Sequence, residues 1–391
     1  MSSPPAAGWL VAVHSAATTL SPSRDEVIAY DLEGRPISWF RAGETFKRSL
    51  ASDVFGRRTE HGDRRRWRVD AATTHELFAR AGTVATEARA ALARGERLTD
   101  EADELSARLE RISAWTPERL AMERERFLAA YAPVAILPPD QYDAVVLQAT
   151  FGCSWNRCTY CTFYLDRPFE VRPTEALEAH AEAVTTLLGR AAEGRRSVFL
   201  ADGNALVLSN ARLRPVFDVA RAAFPGRPLA GFVDVFSGER KPVDDWRELR
   251  GLGLESVAIG VETGHDPLLA YLNKPGSAEE AAAFVGVLKE AGLRVSVIVM
   301  VGVGGRRWAE GHVRDTMALL GRLPLGRGDL VYLSPFVRHG DSAYARLAAR
   351  DGLEDLSEVE LAAQDRTLRE AARAAAPEAR VARYHIDEFV Y

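Results

Sequence analysis

The sequence predicts an α/β fold: a (β/α)6 partial barrel over residues 141–340, with a mixed, mostly helical region over 1–140 and a short α/β extension over 341–391. Three observations predict it. Between 143 and 336, six short β-branched runs alternate with helix-period segments. Helical crossovers make such strands parallel, and right-handed crossovers curl the sheet. Pro138-Pro139-Asp140 breaks the chain before this alternation, and a single long helical pattern with a strand-like tail follows it.

The elements follow in order. Runs at 27–30 and 37–40 flank Asp31-Leu32-Glu33-Gly34-Arg35-Pro36, which reads as a hairpin turn. Helical patterns cover 74–94, 99–112 and 116–131. The last opens Thr116-Pro117-Glu118: a capping hydroxyl, a proline whose missing N–H costs nothing there, and a first-turn acid. Pro138-Pro139-Asp140 reads as a hinge. A partial barrel leaves edges that need cover, so 1–140 is expected to cap part of it and help form a substrate pocket.

Barrel strands are expected at 144–150, 197–201, 229–234, 256–261, 295–301 and 330–334, with helices at 174–188, 210–224, 244–252, 277–291 and 309–323. Ser277 with Glu280 forms a capping box, and Gly292 suits a helix C-cap. The final stretch carries a helix at 357–375 and a strand-like tail at 381–391, expected to pack on the barrel rather than fold alone. In such folds ligands meet the C-terminal ends of the strands.

Composition narrows the function classes. The 391 residues suffice for one large domain with appendages, or two domains. A net charge of -5 argues against a nucleic-acid partner, which needs clustered positive charge. The one basic cluster, 57–68, mixes six arginines with Glu60, His61 and Asp63 and reads as a solvated loop or turn. The longest apolar run, 295–303, falls short of the roughly 20 residues a bilayer span needs. The N-terminus lacks a basic region leading into an apolar core, so no secretory signal is read there and a cytoplasmic location without a membrane partner is expected.

The chain has three cysteines, all in Phe151-Gly152-Cys153-Ser154-Trp155-Asn156-Arg157-Cys158-Thr159-Tyr160-Cys161, directly after the first barrel strand. An odd, clustered set is no disulfide framework. Three thiolates at C-x4-C-x2-C spacing can bind three irons of a cubane and leave the fourth iron open to a small molecule. Soft thiolates also suit zinc, but a zinc site needs a fourth ligand. No fourth cysteine exists, and the first histidine after the loop is His180.

A three-cysteine loop after the first strand, with the aromatic Tyr160 just before the last cysteine, resembles the radical S-adenosylmethionine (radical SAM) superfamily over residues 143–336. The resemblance implies a partial TIM barrel and a [4Fe–4S] cluster on Cys153, Cys158 and Cys161. The open iron would hold the amino and carboxylate groups of SAM. Reductive cleavage would give a 5′-deoxyadenosyl radical that abstracts hydrogen from a small or medium organic substrate. An electron donor such as flavodoxin or ferredoxin is implied too. The commonest spacing in that superfamily is C-x3-C-x2-C, so one extra residue here leaves the loop's path and the partners of Trp155, Asn156 and Arg157 open. The alternative is a non-catalytic iron–sulfur or zinc-binding protein.

The strand ends supply further candidates. The resemblance implies cofactor contacts from Tyr160 and from Asp202-Gly203-Asn204 after the second strand; at the end of the third, Asp234, Ser237 and Lys241 would suit ribose hydroxyls, the SAM carboxylate or substrate. Glu262 would end the fourth strand, where a buried carboxylate needs a partner. Gly302-Val303-Gly304-Gly305 would suit a wall against adenine, Arg338 and His339 either reach substrate or are solvated, and His312 is expected to pack or cap. Residues 1–140 lack the Asp-x-His-x-x-Gly pattern of a B12 module, and the cysteine count excludes further cysteine-bound clusters. No catalytic side chain is singled out.

Overall fold

The computed structural model describes residues 8–60, 63–238, 240–340, 342–386 and 389–391. They form two compact units. The first comprises Met1–Val134, Glu182–Arg196 and Val390–Tyr391; the second comprises Ala135–Ala181 and Ser197–Phe389.

The first unit corrects the expectation of a mostly helical N-terminal region. Seven strands, β1 (Leu10–Val13), β2 (Ala17–Ser23), β3 (Glu26–Asp31), β4 (Pro36–Arg41), β5 (Glu44–Arg48), β6 (Val54–Glu60) and β7 (Asp63–Arg68), form one antiparallel sheet in chain order. Helices α1 (Ala71–Ala93), α2 (Ala102–Ser113) and α3 (Pro117–Ala130) follow. The expected hairpin is present as β3–β4. The arginine-rich segment, expected as a solvated loop or turn, is carried on the β6–β7 hairpin, which pairs Arg57 with Arg66 and Arg58 with Arg65. His61 lies outside the described residues. These strands bury one face only, so charged residues interrupt the apolar runs that would betray them.

The small residues Ala81, Ala85 and Ala88 of α1 are buried in a core shared with Leu20, Ile28, Tyr30 and Trp39 of the sheet. Tyr30 donates its hydroxyl to the Ala81 carbonyl (2.8 Å), and Trp39 Nε1 to the Leu77 carbonyl (3.2 Å). At the hairpin turn, Arg35 is 1% exposed. Its guanidinium donates to Asp31 and Glu123 (both 2.8 Å) and to the Leu187 and Leu188 carbonyls (both 2.7 Å). Helix α3 starts as expected, with the Thr116 hydroxyl accepting from Arg119 N–H.

The second unit carries the parallel sheet. In chain order it contains β8 (Val145–Gln148), the two-residue β9 (Thr150–Phe151) and β10 (Glu170–Val171), β11 (Val198–Ala201), β12 (Leu229–Phe232), β13 (Leu254–Glu262), β14 (Arg294–Val301), β15 (Leu330–Pro335) and β16 (Arg380–Arg383). The sheet order is β8-β11-β12-β13-β14-β15-β16, with every neighbouring pair parallel. All six expected strands are present, and the C-terminal tail contributes the seventh. The helices of this part of the chain are α4 (Thr174–Leu188), α5 (Asn210–Ala223), α6 (Val235–Gly238), α7 (Val243–Gly251), α8 (Asp266–Tyr271), α9 (Ala278–Glu290), α10 (Gly305–Leu320), α11 (Ala343–Arg350) and α12 (Glu358–Ala375). Helices α6 and α8 are too short to leave a periodic signature.

The Ser277 side chain accepts from Glu280 N–H at the start of α9, which is one half of the expected capping box, and Gly292 after its end is left-handed (φ 79°). Ser357 and Glu360 form a full capping box on α12. The segment read as a hinge is tied to β15: the Tyr332 hydroxyl donates to Asp140 Oδ1 (2.9 Å) and accepts from Asp140 N–H (3.0 Å). Among the described residues, no helix is long and apolar enough to cross a membrane.

Candidate active site

Strand β8 leads to β9, which pairs antiparallel with β10, setting Phe151 opposite Glu170. This short ribbon closes the base of the loop that holds Cys153, Cys158 and Cys161. Asp202, just past β11, fastens the loop. Its Oδ2 accepts Gly152 N–H and its Oδ1 accepts Gln148 Nε2–H, both at 3.1 Å, with Arg167 Nη1 3.6 Å away. Gly203 N–H donates to the Gly152 carbonyl (3.1 Å). A Cβ on Gly203 would stand 2.6 Å from the Tyr164 ring and 3.2 Å from Cys153 Cβ, so glycine permits this approach.

The loop's extra residue is accommodated by a left-handed Asn156 (φ 47°), whose amide donates to the Tyr164 carbonyl (2.8 Å). Trp155 Nε1 donates to the Asn273 carbonyl, and the Asn273 amide donates to the Arg157 carbonyl, both at 2.8 Å. Thr159 N–H donates to the Leu272 carbonyl (2.9 Å). The loop is thus laid against the end of α8.

The three cysteines and Tyr160 line one cavity. Its other walls come from the C-terminal ends of β12 to β15, with Asp234, Glu262, Met300 and Ser334 among them, and from Gly203 and Asn204. This is the edge where parallel sheets carry ligands. Glu262 reaches it through a backbone device. The β13–β14 register shifts between Gly260 and Glu262, and Glu262 is left-handed (φ 66°). Such a conformation costs on the order of 1–3 kcal/mol and recurs at functional sites, and a bulge re-aims a side chain. Gly260 makes room, since a Cβ there would fall 2.2 Å from Glu262 Oε1. That oxygen accepts from the Tyr160 hydroxyl (3.0 Å) and lies 3.4 Å from Lys274 Nζ. Burial pulls the Lys274 ammonium down, but Glu262 and then Cys158 outweigh it and hold it above the ordinary lysine range. Burial, then Glu262, raises the Tyr160 phenol, which stays a neutral donor.

Asp234 caps α6. It accepts from Ser237 N–H (2.7 Å), the Ser237 hydroxyl (3.1 Å) and the Asn204 amide, while its own N–H donates to Asn204 Oδ1 (3.1 Å). Asp234 and Asn204 line the cavity; Ser237 does not, and positions Asp234 instead. Asp202 also stands outside the lining, with both oxygens engaged on the loop and β8. Lys241 donates to the Leu208 carbonyl, away from the cavity. The glycines at 302–305 serve packing rather than a wall: Gly302 N–H donates to Gln364 Oε1 (2.6 Å), and Gly304 N–H to the Tyr344 hydroxyl (3.0 Å). Arg338 pairs with Asp355, whereas His339 lines the cavity. His312 is fully buried, its Nδ1 accepting from the Thr263 hydroxyl (2.7 Å) and its Nε2 donating to the Met300 carbonyl (3.0 Å).

Sequence reasoning missed Lys274, Ile136, Tyr384 and Ile386, all in the lining. Lys274 sits in Asn273-Lys274-Pro275-Gly276, which reads as an ordinary turn. Its place after the strand that ends in Glu262 was the only signal.

The donor set can be tested against an iron–sulfur cluster. Burial raises the Cys158 thiol, and lifts Cys161 to about 12. Such thiols keep their protons until a metal displaces them. Among the described residues, no three His, Cys, Asp or Glu side chains are arranged around a single ion. His180 Nε2 is occupied in accepting Gln148 N–H (3.1 Å). Three cysteines lining one cavity fit three irons of a cubane with one open corner.

Residues 147–320 match the sequence profile of the Radical SAM superfamily. No curated protein matches the chain. Solved structures that resemble it include a radical S-adenosylmethionine methyltransferase from Kitasatospora setae, at 16% identity and a TM-score of 0.38, covering 49% of this chain and 36% of that one. Another is coproporphyrinogen III oxidase from Escherichia coli, at 15% identity and 0.44, covering 60% and 55%. A third is methylornithine synthase, at 16% and 0.41, covering 61% and 72%. The chain therefore spans about a third of the first of these proteins and about half of the second.

Proposed function

We propose that this chain, which belongs to the radical SAM superfamily through residues 147–320, cleaves SAM at a cluster held by Cys153, Cys158 and Cys161 and abstracts hydrogen from a small or medium organic substrate in the adjoining cavity. Membership makes it a radical SAM enzyme, with a [4Fe–4S] cluster and SAM as its cofactors. What these supply when bound is one-electron cleavage of the SAM sulfur–carbon bond to a 5′-deoxyadenosyl radical.

One observation carries the reading: the chain's only three cysteines open onto the same cavity as the ion-paired Glu262 and Lys274. In this reading Glu262 meets the SAM ammonium and Lys274 its carboxylate, each charge already offset before the ligand arrives. Tyr160 keeps the Glu262 carboxylate in place. Asn204 and Asp234, locked to each other, offer a fixed donor and acceptor for ribose hydroxyls or substrate. Asp202 and Ser237 are positioning residues, one for the cysteine loop and one for Asp234. Ile298, Met300 and Phe336 present an apolar wall that keeps water from a reactive intermediate. The parallel sheet is read as a partial barrel around this cavity.

Anaerobic reconstitution tests the proposal. About four irons with matching sulfide per chain are expected, and 5′-deoxyadenosine should form from SAM once reductant is added. With a deuterated cell extract, deuterium should appear in the 5′-deoxyadenosine. Cys153→Ala, Cys158→Ala and Cys161→Ala should each abolish both cluster and cleavage. One zinc per chain and no 5′-deoxyadenosine would leave a non-catalytic metal protein instead.

A further inference from the structure

We infer that the end of the cavity built by Ile136, Tyr384 and Ile386 is the substrate pocket, and that it takes an uncharged, apolar carbon skeleton, an aromatic ring or a branched alkyl group; this deepens the reading of the cavity as the site of SAM cleavage and rests on it. All three side chains lie outside residues 147–320, the stretch that matches the superfamily profile. The chemistry that the superfamily shares belongs to that stretch. What this chain adds to the cavity from elsewhere meets the part that differs, the substrate.

The three pack in one apolar cluster with Phe232, Ile298 and Tyr332. Two segments far apart in sequence are clamped together to form it. The Tyr384 hydroxyl donates to the Leu137 carbonyl (2.7 Å), and the Tyr332 hydroxyl joins both Asp140 N–H and Asp140 Oδ1. Both phenol hydroxyls are spent on the 137–140 segment, so Tyr384 offers a ligand its ring rather than a hydrogen-bonding group. The Tyr332 and Tyr384 rings lie 5.7 Å apart, and Phe232 meets Phe199 edge to face at 5.1 Å. Ile136, Phe232 and Ile386 stay only half-buried although they pack on this cluster. Apolar surface left open inside a cavity is unfavourable in water, and an apolar ligand covers it.

Charge at this end disfavours an anion. Apart from the His339 imidazole, the only cation in the lining is Lys274, which Glu262 holds at 3.4 Å, and the lining contains no arginine. The undescribed residues of this unit, 239, 341, 387 and 388, include neither lysine nor arginine. A carboxylate or phosphate against Ile136 and Ile386 would be buried without a counter-charge.

Reconstituted protein is incubated anaerobically with reductant, SAM and a deuterated cell extract split at neutral pH into an anion-exchange eluate, an ethyl acetate extract and the remaining aqueous fraction. Deuterium should reach 5′-deoxyadenosine from the ethyl acetate extract. Ile136→Lys and Ile386→Lys each bring an ammonium into the pocket on a stem long enough to reach water. Each should cut deuterium transfer about tenfold or more, while iron content and SAM affinity in equilibrium dialysis hold. Ile136→Leu and Ile386→Leu should keep most of the transfer. Deuterium arriving from the anionic or the remaining aqueous fraction, or unchanged transfer in both lysine variants, would overturn the inference. So would a SAM affinity that falls in step with transfer, which would put these residues in the SAM site. Absence of 5′-deoxyadenosine would sink the proposed function. In that case, or if no fraction delivers deuterium, equilibrium dialysis with labelled naphthol and labelled naphthoate decides the pocket. Naphthol held about tenfold more tightly than naphthoate, and lost in the lysine variants, upholds it; equal binding of the two, or none, overturns it.

Discussion

Asp202→Asn and Glu262→Gln should fail in different ways. Asp202 is 2% exposed and spends both oxygens on protein donors, Gly152 N–H and Gln148 Nε2–H, each at 3.1 Å. Asparagine keeps one acceptor and turns the other into a donor that faces a donor. One charge-assisted bond is lost and a buried donor is left unmatched, together about 3 kcal/mol. Because the lost bond ties β8 or Gly152 to Asp202, the damage falls on the cysteine loop. Urea unfolding of the metal-free protein should show the loss, and iron retention after reconstitution should drop with it. Glutamine at 262 keeps the shape and the acceptor for Tyr160 but removes the charge facing Lys274. Stripped of its partner, the buried Lys274 ammonium should cost some stability in unfolding, but the bonds that fasten the cysteine loop are untouched, so we expect iron content to hold, with SAM affinity weakened by roughly 1.5–3 kcal/mol, or about 10- to 150-fold, in equilibrium dialysis. Asp202→Asn with normal stability and weakened SAM binding, or Glu262→Gln with unchanged affinity, would refute the assignment of positioning to one acid and ligand contact to the other.

Three further outcomes follow from the geometry. Gly260→Ala places a Cβ 2.2 Å from Glu262 Oε1, so SAM affinity should fall at least tenfold while iron and sulfide content hold; unchanged dialysis binding would mean that Glu262 is not the contact. Arg35→Met removes the cation shared by Asp31 and Glu123 and leaves the Leu187 and Leu188 carbonyls without their donor, while Glu123, 1% exposed, keeps only Arg126, so the first unit should lose about 3 kcal/mol in urea unfolding; a loss under 1 kcal/mol would show that the network is dispensable. Burial depresses His312 to about 4 from an ordinary 6.5. Between those values the unfolded chain binds a proton that the folded one refuses, so stability is complete above pH 6.5 and falls by roughly 3 kcal/mol as pH drops to 4. His312→Gln should flatten that part of the stability–pH profile, and an unaltered slope would assign it to other groups.

The parallel sheet was readable because its strands are buried on both faces, leaving continuous β-branched runs such as the one in β14. The N-terminal sheet was not. Its β6 and β7 read VFGRRTE and DRRRWR, and their pairing depends on partners across the sheet rather than on any run of their own. Helix starts at Thr116, Ser277 and Ser357 were readable because a cap acts within one turn. The tail was readable as a strand, but not as the seventh in the sheet that brings Tyr384 and Ile386 to the cavity.

By itself the sequence determined the chemistry on offer: three thiols in one loop at the end of a parallel strand, acids at the next strand ends, and caps and periods that act over a few residues. Tertiary structure alone decided which of those groups face a ligand. Asp202 and Glu262 look alike in the sequence, each an acid where a strand stops. A register shift and a left-handed backbone turn Glu262 into the cavity beside Lys274, while Gly152 and Gln148 draw Asp202 into the loop's support. The difference lies in contacts between residues far apart in the chain, and a local pattern of residue types carries no record of them.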